Sequence, residues 1–488
     1  MQQTSGKLVT TMAASFFFYD LETTGFDARE GRVMQFAGQR TDMELNPIGD
    51  PVNLLIKLTA DTLPSPDAIL VTGITPQQTL ADGVTEAEFL KIFYDQVVQP
   101  DTIFVGFNSI RFDDEFMRFL HYRNFYDPYE WQWANGCSRW DILDLVRMTR
   151  ALRPEGIEWP FNDEGKPANR LELLTKVNKL DHENAHDALN DVYATIAVAK
   201  LIREKQKDLF EYLLGVRDKK KAAEIIETGN PFVYSTGRYS GAGSSLCTSV
   251  AVLLAKHPQP GSALVFDLRH DPTPFLDMSV DELIQAWRYS KDPEALRLPV
   301  KSVKYNRSPA VAPLGVIKDE AVQERIELKL ETITKHLGIL QQHRAAFAKK
   351  ILEAVEKMDA QRDKEQQTAL DESQLTVDSR LYDKFIDNGD KQAMRTVRTA
   401  KPEELNSLAD NFHDDRLKML LPLYKARNYP KSLDSDERAA WDAFCAQKLF
   451  DGGTNSRLAR YFARLAELAN GKLTDSQKYL LEELQLYG

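Results

Sequence analysis

A pair of acids directly follows a run of four aromatic residues near the start of this chain. The run, Phe16 to Tyr19, predicts a buried strand, and Asp20 and Glu22 come immediately after it. An unpaired carboxylate inside or at the end of a core strand is costly, so acids in such positions usually serve a function. Side chains two residues apart on a strand share a face, so both carboxylates can point at one cation. A single Asp-x-Glu pair is nevertheless common, and most such pairs are solvated loop acids.

A second segment also places acids next to an apolar element. Residues 102–107, TIFVGF, predict another buried strand that Asn108 ends, and Asp113 begins an amphipathic helix. An acid at a helix start often serves as a cap. Two interpretations therefore stay open. Either Asp113 or Asp114 merely caps the helix, or one of these two residues caps it while the other faces a metal ion.

A third segment contributes a histidine and a further acid. Residues 188–202 have apolar side chains at helical spacing and predict a helix. His186 and Asp191 are five residues apart and would not share a helix face, which places His186 on a loop or in the first turn. This suits a mobile base beside a fixed ligand. A lone histidine is more often a surface or structural residue, and His182 fits that description.

Taken together, the three segments resemble the motifs of a known enzyme family. They occur in the order Asp-x-Glu, Asn-x4-Asp and His-x4-Asp, which is similar to the order of the DEDDh family of 3'-to-5' exonucleases. The chain also resembles the bacterial exonuclease I family in five further stretches: RNFYDPYEW (123–131), SRWDILDL (138–145), ALRPEGIEWP (151–160), NAHDALNDVYATIAVAKL (184–201) and YKARNYP (424–430).

Hydrophobic patterns divide the 488 residues into three regions, as expected for a chain too long for one core. Residues 16–203 alternate strand and helix patterns and predict an α/β fold with a mixed sheet. Residues 207–358 contain short strand-like pieces separated by Gly, Pro and Ser, a pattern that fits a sandwich or a barrel. The charged stretch 355–375 marks a linker or an exposed helix end, and residues 362–488 predict an all-α domain.

The resemblance refines this domain organisation. It implies that residues 16–203 form a ribonuclease H-like exonuclease domain and that residues 207–358 form an SH3-like β-rich domain, followed by the helical domain at 362–488.

The acids and the histidine fit phosphodiester hydrolysis through two divalent cations, which needs several hard oxygen ligands and a base. We expect Asp20, Glu22 and Asp191 to bind one Mg2+, and Asp20 with Asp113 to hold a second, with Mn2+ as an alternative metal. His186 is expected to deprotonate the attacking water, because its unperturbed pKa lies near neutrality.

Other roles follow from the resemblance alone. It implies that Arg170 contacts a substrate phosphate and that Glu22 also meets the terminal nucleotide. It further implies binding of the acidic C-terminal tail of single-stranded DNA-binding protein, through Arg153 and Tyr212. An arginine that pairs with a terminal carboxylate is physically reasonable. Arg170, Arg153 and Tyr212 also fit the role of ordinary surface residues.

The overall charge runs against nucleic-acid binding, since a net charge of -11 and a pI near 5.4 are acidic. A set of arginines either forms a local basic track or pairs with the abundant acids. The arginines are Arg111, Arg118, Arg123, Arg139, Arg147, Arg150 and Arg153.

Single-strand binding also calls for aromatic side chains on which bases stack, although most aromatics at such spacing belong to a core. Residues 237–253 are poor in aromatics, which puts base contacts from the second domain in doubt. The candidates elsewhere are Phe26, Phe112, Trp131, Trp140 and Trp159.

Cysteine content and hydropathy indicate the cellular setting. Cys137, Cys247 and Cys445 are widely spaced and odd in number, so they indicate neither a disulfide framework nor a zinc cluster, and a reducing cytoplasm is the simplest setting. The first fifteen residues do not fit a signal peptide, and no stretch approaches the length of a membrane span. We therefore expect a cytoplasmic monomer.

The leading hypothesis is a processive exonuclease that degrades single-stranded DNA from 3' to 5' and releases 5'-mononucleotides, in DNA repair and recombination. The alternative is the same chemistry on RNA or in a proofreading module, which the resemblance of the C-terminal region disfavours. A third hypothesis, a scaffold on an inactive nuclease fold, is disfavoured because all five chemical positions are retained.

Overall fold

The computed structural model describes residues 14–180, 187–237, 246–288, 290–292, 295–372 and 376–488. The chain divides into two compact units, which are described separately below. The first unit comprises Met1–Arg139, Glu183–Tyr193 and Leu375–Gly488, and the second comprises Trp140–His182 and Ala194–Gln374.

A five-stranded mixed sheet contains the predicted strands of the first region. Strand β1 runs antiparallel to β2 and parallel to β4, while β2 and β3 are antiparallel, and the strand order is β3-β2-β1-β4-β5. This confirms the predicted α/β fold with a mixed sheet. The strands are β1 (Ser15–Thr23), β2 (Val33–Thr41), β3 (Val52–Leu55), β4 (Thr102–Gly106) and β5 (Ser138–Asp141).

The aromatic run packs into the core of the first unit as its apolar character predicts. Tyr19 stacks on Phe36, and Phe104 meets the Trp131 ring edge-on at 4.9 Å between ring centroids. Trp131 is fully buried in this cluster. Of the two interpretations left open for the candidate aromatics, Trp131 therefore follows the core one, and its burial argues against contact with nucleic-acid bases.

The described part of the C-terminal region, residues 376–488, contains helices and no strand, which confirms the all-α expectation. The helices in the first half of the chain are α1 (Pro66–Thr72), α2 (Pro76–Asp82), α3 (Glu86–Ile92), α4 (Asp113–Arg123), α5 (Ile142–Leu152), α6 (Leu171–Val177), α7 (Ala188–Lys205), α8 (Lys207–Val216) and α9 (Lys219–Glu227). The later ones are α10 (Thr273–Leu276), α11 (Val280–Trp287), α12 (Glu320–Arg325), α13 (Leu330–Glu372), α14 (Asn388–Thr399), α15 (Asp415–Asn428), α16 (Ser435–Phe450), α17 (Arg457–Ala469) and α18 (Asp475–Tyr487).

The second unit contains an all-antiparallel sheet of order β10-β6-β7-β8-β9. This agrees with the β-rich region predicted from short strand-like pieces. Its strands are β6 (Phe232–Ser235), β7 (Thr248–Lys256), β8 (Ser262–Asp267), β9 (Val300–Lys304) and β10 (Ala310–Pro313).

The 43-residue helix α13 was not predicted from the sequence. Residues 355–372 of this helix belong to the charged stretch that was interpreted as a linker or an exposed helix end, so the helical interpretation holds for the stretch up to residue 372. The helix also passes through the boundary expected near residue 360, so the domain limits stay a prediction. Within the described part of the chain, no helix is both long and apolar enough to cross a membrane.

A buried charge cluster joins the sheet region and the C-terminal helices inside the first unit. Arg427 donates to Asp61 at 2.8 Å and to Asp378 at 2.7 and 2.8 Å. Arg32 donates to Asp378 at 3.0 Å, and Lys448 donates to Asp61 at 2.7 Å. Burial alone would raise the pKa of Asp61, but Arg427, Lys448 and Arg32 outweigh it and hold that pKa well below its ordinary value. Both carboxylates are therefore ionised and paired.

We expect Asp378→Asn to lower the free energy of unfolding at pH 7 by about 3–5 kcal/mol, because it leaves Arg32 and Arg427 as incompletely compensated buried cations. The depressed pKa of Asp61 also makes stability pH-dependent: its contribution is complete above the unfolded-state pKa near 4 and is lost as pH falls towards the folded-state pKa. Urea unfolding between pH 3 and pH 7 measures both effects.

Asp415→Asn is the matched control for this experiment, since Asp415 pairs with Lys418 on the exposed surface of the same region. Its loss should cost less than about 1 kcal/mol. An equal loss in the two variants would contradict a stabilising role for the buried cluster.

Candidate active site

Three of the predicted metal ligands lie together in the first unit. Asp20 and Glu22 lie within β1, and Asp191 lies in the first turn of α7. One carboxylate oxygen from each of the three falls within 4.8 Å of the others. Strand alternation puts Asp20 and Glu22 on one face of β1, as predicted, and Asp191 lies at that same face. The arrangement offers three hard oxygen ligands to one cation.

Asp113 approaches this group from α4. Asn108 adopts the left-handed conformation with φ 67°, which ends the path of β4 and turns the chain towards the helix. Asp113 is the first residue of α4, is almost fully buried, and interacts electrostatically with Asp20. Its neighbour Asp114 accepts hydrogen bonds from Tyr19 and Arg139. The capping interpretation is therefore wrong for Asp114, because its carboxylate binds side chains instead.

Burial and the neighbouring acids raise the pKa values of Asp20 and Glu22. Burial, and then the charges of Asp113, Glu22 and Asp191, raise the pKa of Asp20 well above its ordinary value. Burial, followed by Asp191 and Asp187, raises the pKa of Glu22 to about 8. Carboxylates that share a site without counter-charges destabilise the folded protein. A divalent cation would remove this repulsion, so the donor set fits such an ion.

Two residues that sequence reasoning missed support the start of α7. Gln35, which pairs with Glu22 across the strands, accepts a hydrogen bond from the Ala188 backbone N–H at 3.4 Å and donates to Asn53 at 2.9 Å. Asp187 accepts a hydrogen bond from the Leu189 backbone N–H at 2.9 Å. The sequence signals only Gln35, as a polar residue within the apolar first half of β2. These contacts fix the turn of α7 that holds Asp191.

The remaining predicted site residues are not tested by this geometry. His186 lies outside the described residues. Arg170 immediately precedes α6 and pairs with Glu172 while its side chain stays largely exposed. Arg153 donates to the Leu152 carbonyl oxygen at 2.6 Å. Tyr212 is about one-third exposed, and burial raises its pKa to about 12. Arg170, Arg153 and Tyr212 belong to the second unit, whereas the carboxylates belong to the first.

Of the two interpretations left open for the arginines, the structure favours pairing for most of them, because acids or carbonyl groups bind their side chains. Arg150 is buried and donates to the carbonyl oxygens of Ala168 and Pro160 at 2.6 and 2.9 Å. The pairing interpretation is confirmed for four ion pairs: Arg118–Glu115, Arg123–Glu86, Arg139–Asp114 and Arg147–Asp144.

The predicted stacking aromatics divide by exposure. Trp140 is buried in the second unit against Phe210 and, like Trp131, follows the core interpretation. Trp159 is half-buried and donates to the Pro154 carbonyl oxygen at 2.9 Å. Phe26 is 89% exposed and meets Phe112 edge-on. Phe26 is therefore the most exposed ring of the set.

A second group of potential ligands lies in the C-terminal region at Asp387, Asp390 and His413. The Asp390 carboxylate accepts hydrogen bonds from the backbone N–H groups of His413 at 2.7 Å and Asp414 at 3.1 Å. These bonds give the buried acid a structural role, joining the start of α14 to the start of α15.

The chain matches three family models along almost its whole length. Residues 17–199 match the model described as Exonuclease, residues 217–357 match the Exonuclease I SH3-like domain, and residues 375–488 match the Exonuclease I C-terminal domain. Exodeoxyribonuclease I of Haemophilus influenzae is 40% identical over 483 residues, which cover 97% of this chain and 98% of the relative.

Solved structures agree with these matches. An exonuclease I from Methylocaldum szegediense is 40% identical with a TM-score of 0.88, covering 97% of this chain and 99% of that one. Escherichia coli exonuclease I in complex with a dA16 oligonucleotide is 36% identical, with the same TM-score and coverage. A structure of SSB and exonuclease I with the inhibitor CFAM is 36% identical with a TM-score of 0.85, again covering 97% and 99%.

The fold and the clustered carboxylates thus define a nuclease built on an exonuclease core with a mixed sheet. Beyond that class, the chain belongs to the exonuclease I family. The predicted SH3-like and helical regions are confirmed as parts of this family's architecture.

We expect the metal-free protein to lose thermal stability as pH rises from 5 to 8. The pKa of Glu22 is raised to about 8, so its contribution is complete below the unfolded-state value near 4.5 and is lost as pH rises through the folded-state pKa. Mg2+ should reverse this trend, since a cation favours the ionised acids. Differential scanning fluorimetry in EDTA and in Mg2+ measures the difference in Tm.

Glu22→Gln should reduce the fall of Tm with rising pH in the metal-free protein, and also the gain in Tm on addition of Mg2+. Glu482 is exposed, and Glu482→Gln should change neither quantity. If the dependence of Tm on pH in EDTA is the same in the wild type and in Glu22→Gln, repulsion at this site does not control the stability of the metal-free protein.

Proposed function

We propose that this protein is an exodeoxyribonuclease that degrades single-stranded DNA in the 3' to 5' direction and releases 5'-mononucleotides. The observation that carries the proposal is the convergence of Asp20, Glu22 and Asp191 on one point, with Asp113 beside them. Four carboxylates from three separate segments have no structural use in such proximity, because they repel one another. Family membership along almost the whole chain supports the same reaction.

The proposed cofactor is Mg2+, as two ions, with Mn2+ as an alternative. Asp20, Glu22 and Asp191 would hold one ion, and Asp20 with Asp113 the other. Bound cations of this kind neutralise the scissile phosphate and activate water. A zinc-bound form of the E. coli exonuclease I–ssDNA complex, 36% identical with a TM-score of 0.88, supports a divalent site in this family.

The remaining roles concern protons and the position of the substrate. We assign His186 as the base that takes the proton from the attacking water, since a neutral imidazole accepts a proton at physiological pH. Glu22 and Arg170 would orient the terminal nucleotide, with the guanidinium on a phosphate. The exposed ring of Phe26 offers a stacking surface for a base near the 3' end.

The preference for single-stranded DNA is supported by the E. coli relative, which binds a dA16 oligonucleotide in its solved structure. The alternative, an exonuclease for RNA or a proofreading module, is disfavoured because the match continues through the SH3-like and C-terminal domains. We assign the boundaries as 16–203, 207–358 and 362–488. A role in DNA repair and recombination, as a cytoplasmic monomer, follows from the substrate.

The proposed protein partner is the acidic C-terminal tail of single-stranded DNA-binding protein. The structure of SSB and exonuclease I supports this partner for the family. On this chain, Arg153 would pair with the terminal carboxylate, and Tyr212 would pack beside the peptide. Both side chains are accessible in part, as a peptide site requires.

Digestion of a 5'-labelled single-stranded DNA oligonucleotide in Mg2+, resolved on a gel, tests the reaction. We expect a ladder that shortens from the 3' end, with duplex DNA and RNA of the same sequence degraded far more slowly. His186→Ala should reduce kcat by about 10²–10⁴-fold, the usual contribution of a general base. His182→Ala, four residues away in the sequence, is the matched control and should retain activity.

Preferred cleavage of RNA would support the alternative function instead. Tight DNA binding with no shortening would indicate an inactive scaffold. Equal loss of activity in the two histidine variants would contradict the specific role of His186.

Binding of an acidic peptide with the sequence of such a tail, followed by fluorescence anisotropy, tests the partner site. Arg153→Ala should weaken binding at least tenfold, because one charge-assisted pair is lost, and should leave digestion of free single-stranded DNA unchanged. Arg344→Ala is the control, since Arg344 and Arg153 each donate to a carbonyl oxygen at 2.6 Å. An unchanged peptide affinity in Arg153→Ala would rule out this position as the peptide site.

A further inference from the structure

The buried acid Asp114 is not a predicted metal ligand, yet it directly follows one. Only 1% of Asp114 is exposed, in the first turn of α4. A buried carboxylate is tolerated when it is paired and hydrogen-bonded. The Tyr19 hydroxyl donates to Asp114 Oδ1 at 2.5 Å, and Arg139 Nη1 donates to Asp114 Oδ2. We call Tyr19, Asp114 and Arg139 the clamp.

The clamp joins the two elements that carry Asp20 and Asp113. Tyr19 precedes Asp20 on β1, and Asp114 follows Asp113 on α4. The Tyr19 ring is held by Phe36 and other core aromatics, so its hydroxyl has little freedom to turn away. The distance between β1 and the start of α4 is thus fixed by a rigid donor on one side and a buried acceptor on the other.

Electrostatics gives this connection a purpose beyond packing. Asp20 and Asp113 repel each other, and Asp113 is the strongest of the neighbouring charges that raise the pKa of Asp20. Without a restraint, the first turn of α4 would move away from β1 and relieve the repulsion. Hydrogen bonds from Tyr19 and Arg139 to Asp114 oppose that movement, because α4 cannot shift without leaving a buried acid unpaired.

We infer that Tyr19, Asp114 and Arg139 are positioning residues, which hold Asp113 at a fixed separation from Asp20 and so preorganise this pair for a divalent cation. The inference rests on the proposed function only in assigning a cation to these two acids. Partners behind metal ligands orient those ligands and commonly change metal affinity when removed.

A purely structural role is the competing explanation, because Arg118 also anchors the same turn. It donates to Glu115 at 2.5 Å and approaches Asp114 at 3.9 Å. Stability alone would therefore not separate the two explanations. Metal affinity does, since a bond that only stabilises the fold has no reason to change the binding of a cation.

Titration of Mn2+ into the metal-free protein by calorimetry, without DNA, tests the inference. Tyr19→Phe removes one hydroxyl and preserves the ring, and we expect it to weaken Mn2+ binding roughly tenfold, as for other residues behind metal ligands. At saturating Mg2+, kcat should recover while the KM for an oligonucleotide stays unchanged. Arg139→Lys keeps the charge and loses the planar guanidinium, so it should also bind Mn2+ more weakly.

Tyr461→Phe is the matched control. Tyr461 is as buried as Tyr19, and its hydroxyl donates to the Leu484 carbonyl oxygen at 2.7 Å, far from the clamp in the sequence. It should lose comparable stability and keep wild-type Mn2+ affinity. Wild-type affinity in folded Tyr19→Phe and Arg139→Lys proteins would overturn the inference. If the wild type binds Mn2+ but digests no single-stranded DNA, the proposed function fails while the clamp still stands.

Discussion

Mutual repulsion among clustered carboxylates is the constraint on which this structure depends. Asp20, Glu22 and Asp191 converge within a few ångströms, and Asp113 adds a fourth negative charge. Interactions elsewhere in the fold must offset this repulsion in the metal-free protein. The aromatic core behind β1 and the bonds around Asp114 and Gln35 supply part of this compensation. The site therefore lowers the stability of the metal-free protein, and a bound cation would remove the repulsion that causes this.

Much of the fold and the centre of the site could be predicted from the sequence. The strands could be predicted because short, continuous apolar runs such as TIFVGF are typical of buried strands. The C-terminal helices could be predicted because their apolar residues recur at helical spacing. Asp20 and Glu22 could be placed on one face because strand alternation is a strict geometric rule. Asp113 could be placed at a helix start because Asn108 breaks the strand before it.

What the sequence did not predict depends on contacts between distant segments. Helix α13 is highly charged in its second half, so its apolar pattern fades before the helix ends. Tyr19 lies 95 residues from its partner Asp114, and Ala188 lies 153 residues from its partner Gln35, so no local pattern indicates these contacts. The sequence could not decide whether Trp131 and Trp140 are core residues or base contacts for the same reason: exposure is a property of the packed chain and not of residue type.

The acidic character of the chain also acquires a physical explanation. Several of the arginines that could have formed a basic track neutralise acids instead, as Arg123 does for Glu86 and Arg139 for Asp114. The affinity for a polyanion then has to come from elsewhere, and divalent cations are the largest local positive charges that such a site can acquire. A carboxylate cluster without cations would repel the scissile phosphate. Metal binding and substrate binding at this site are therefore coupled by electrostatics, and the residues that fix the carboxylates control both.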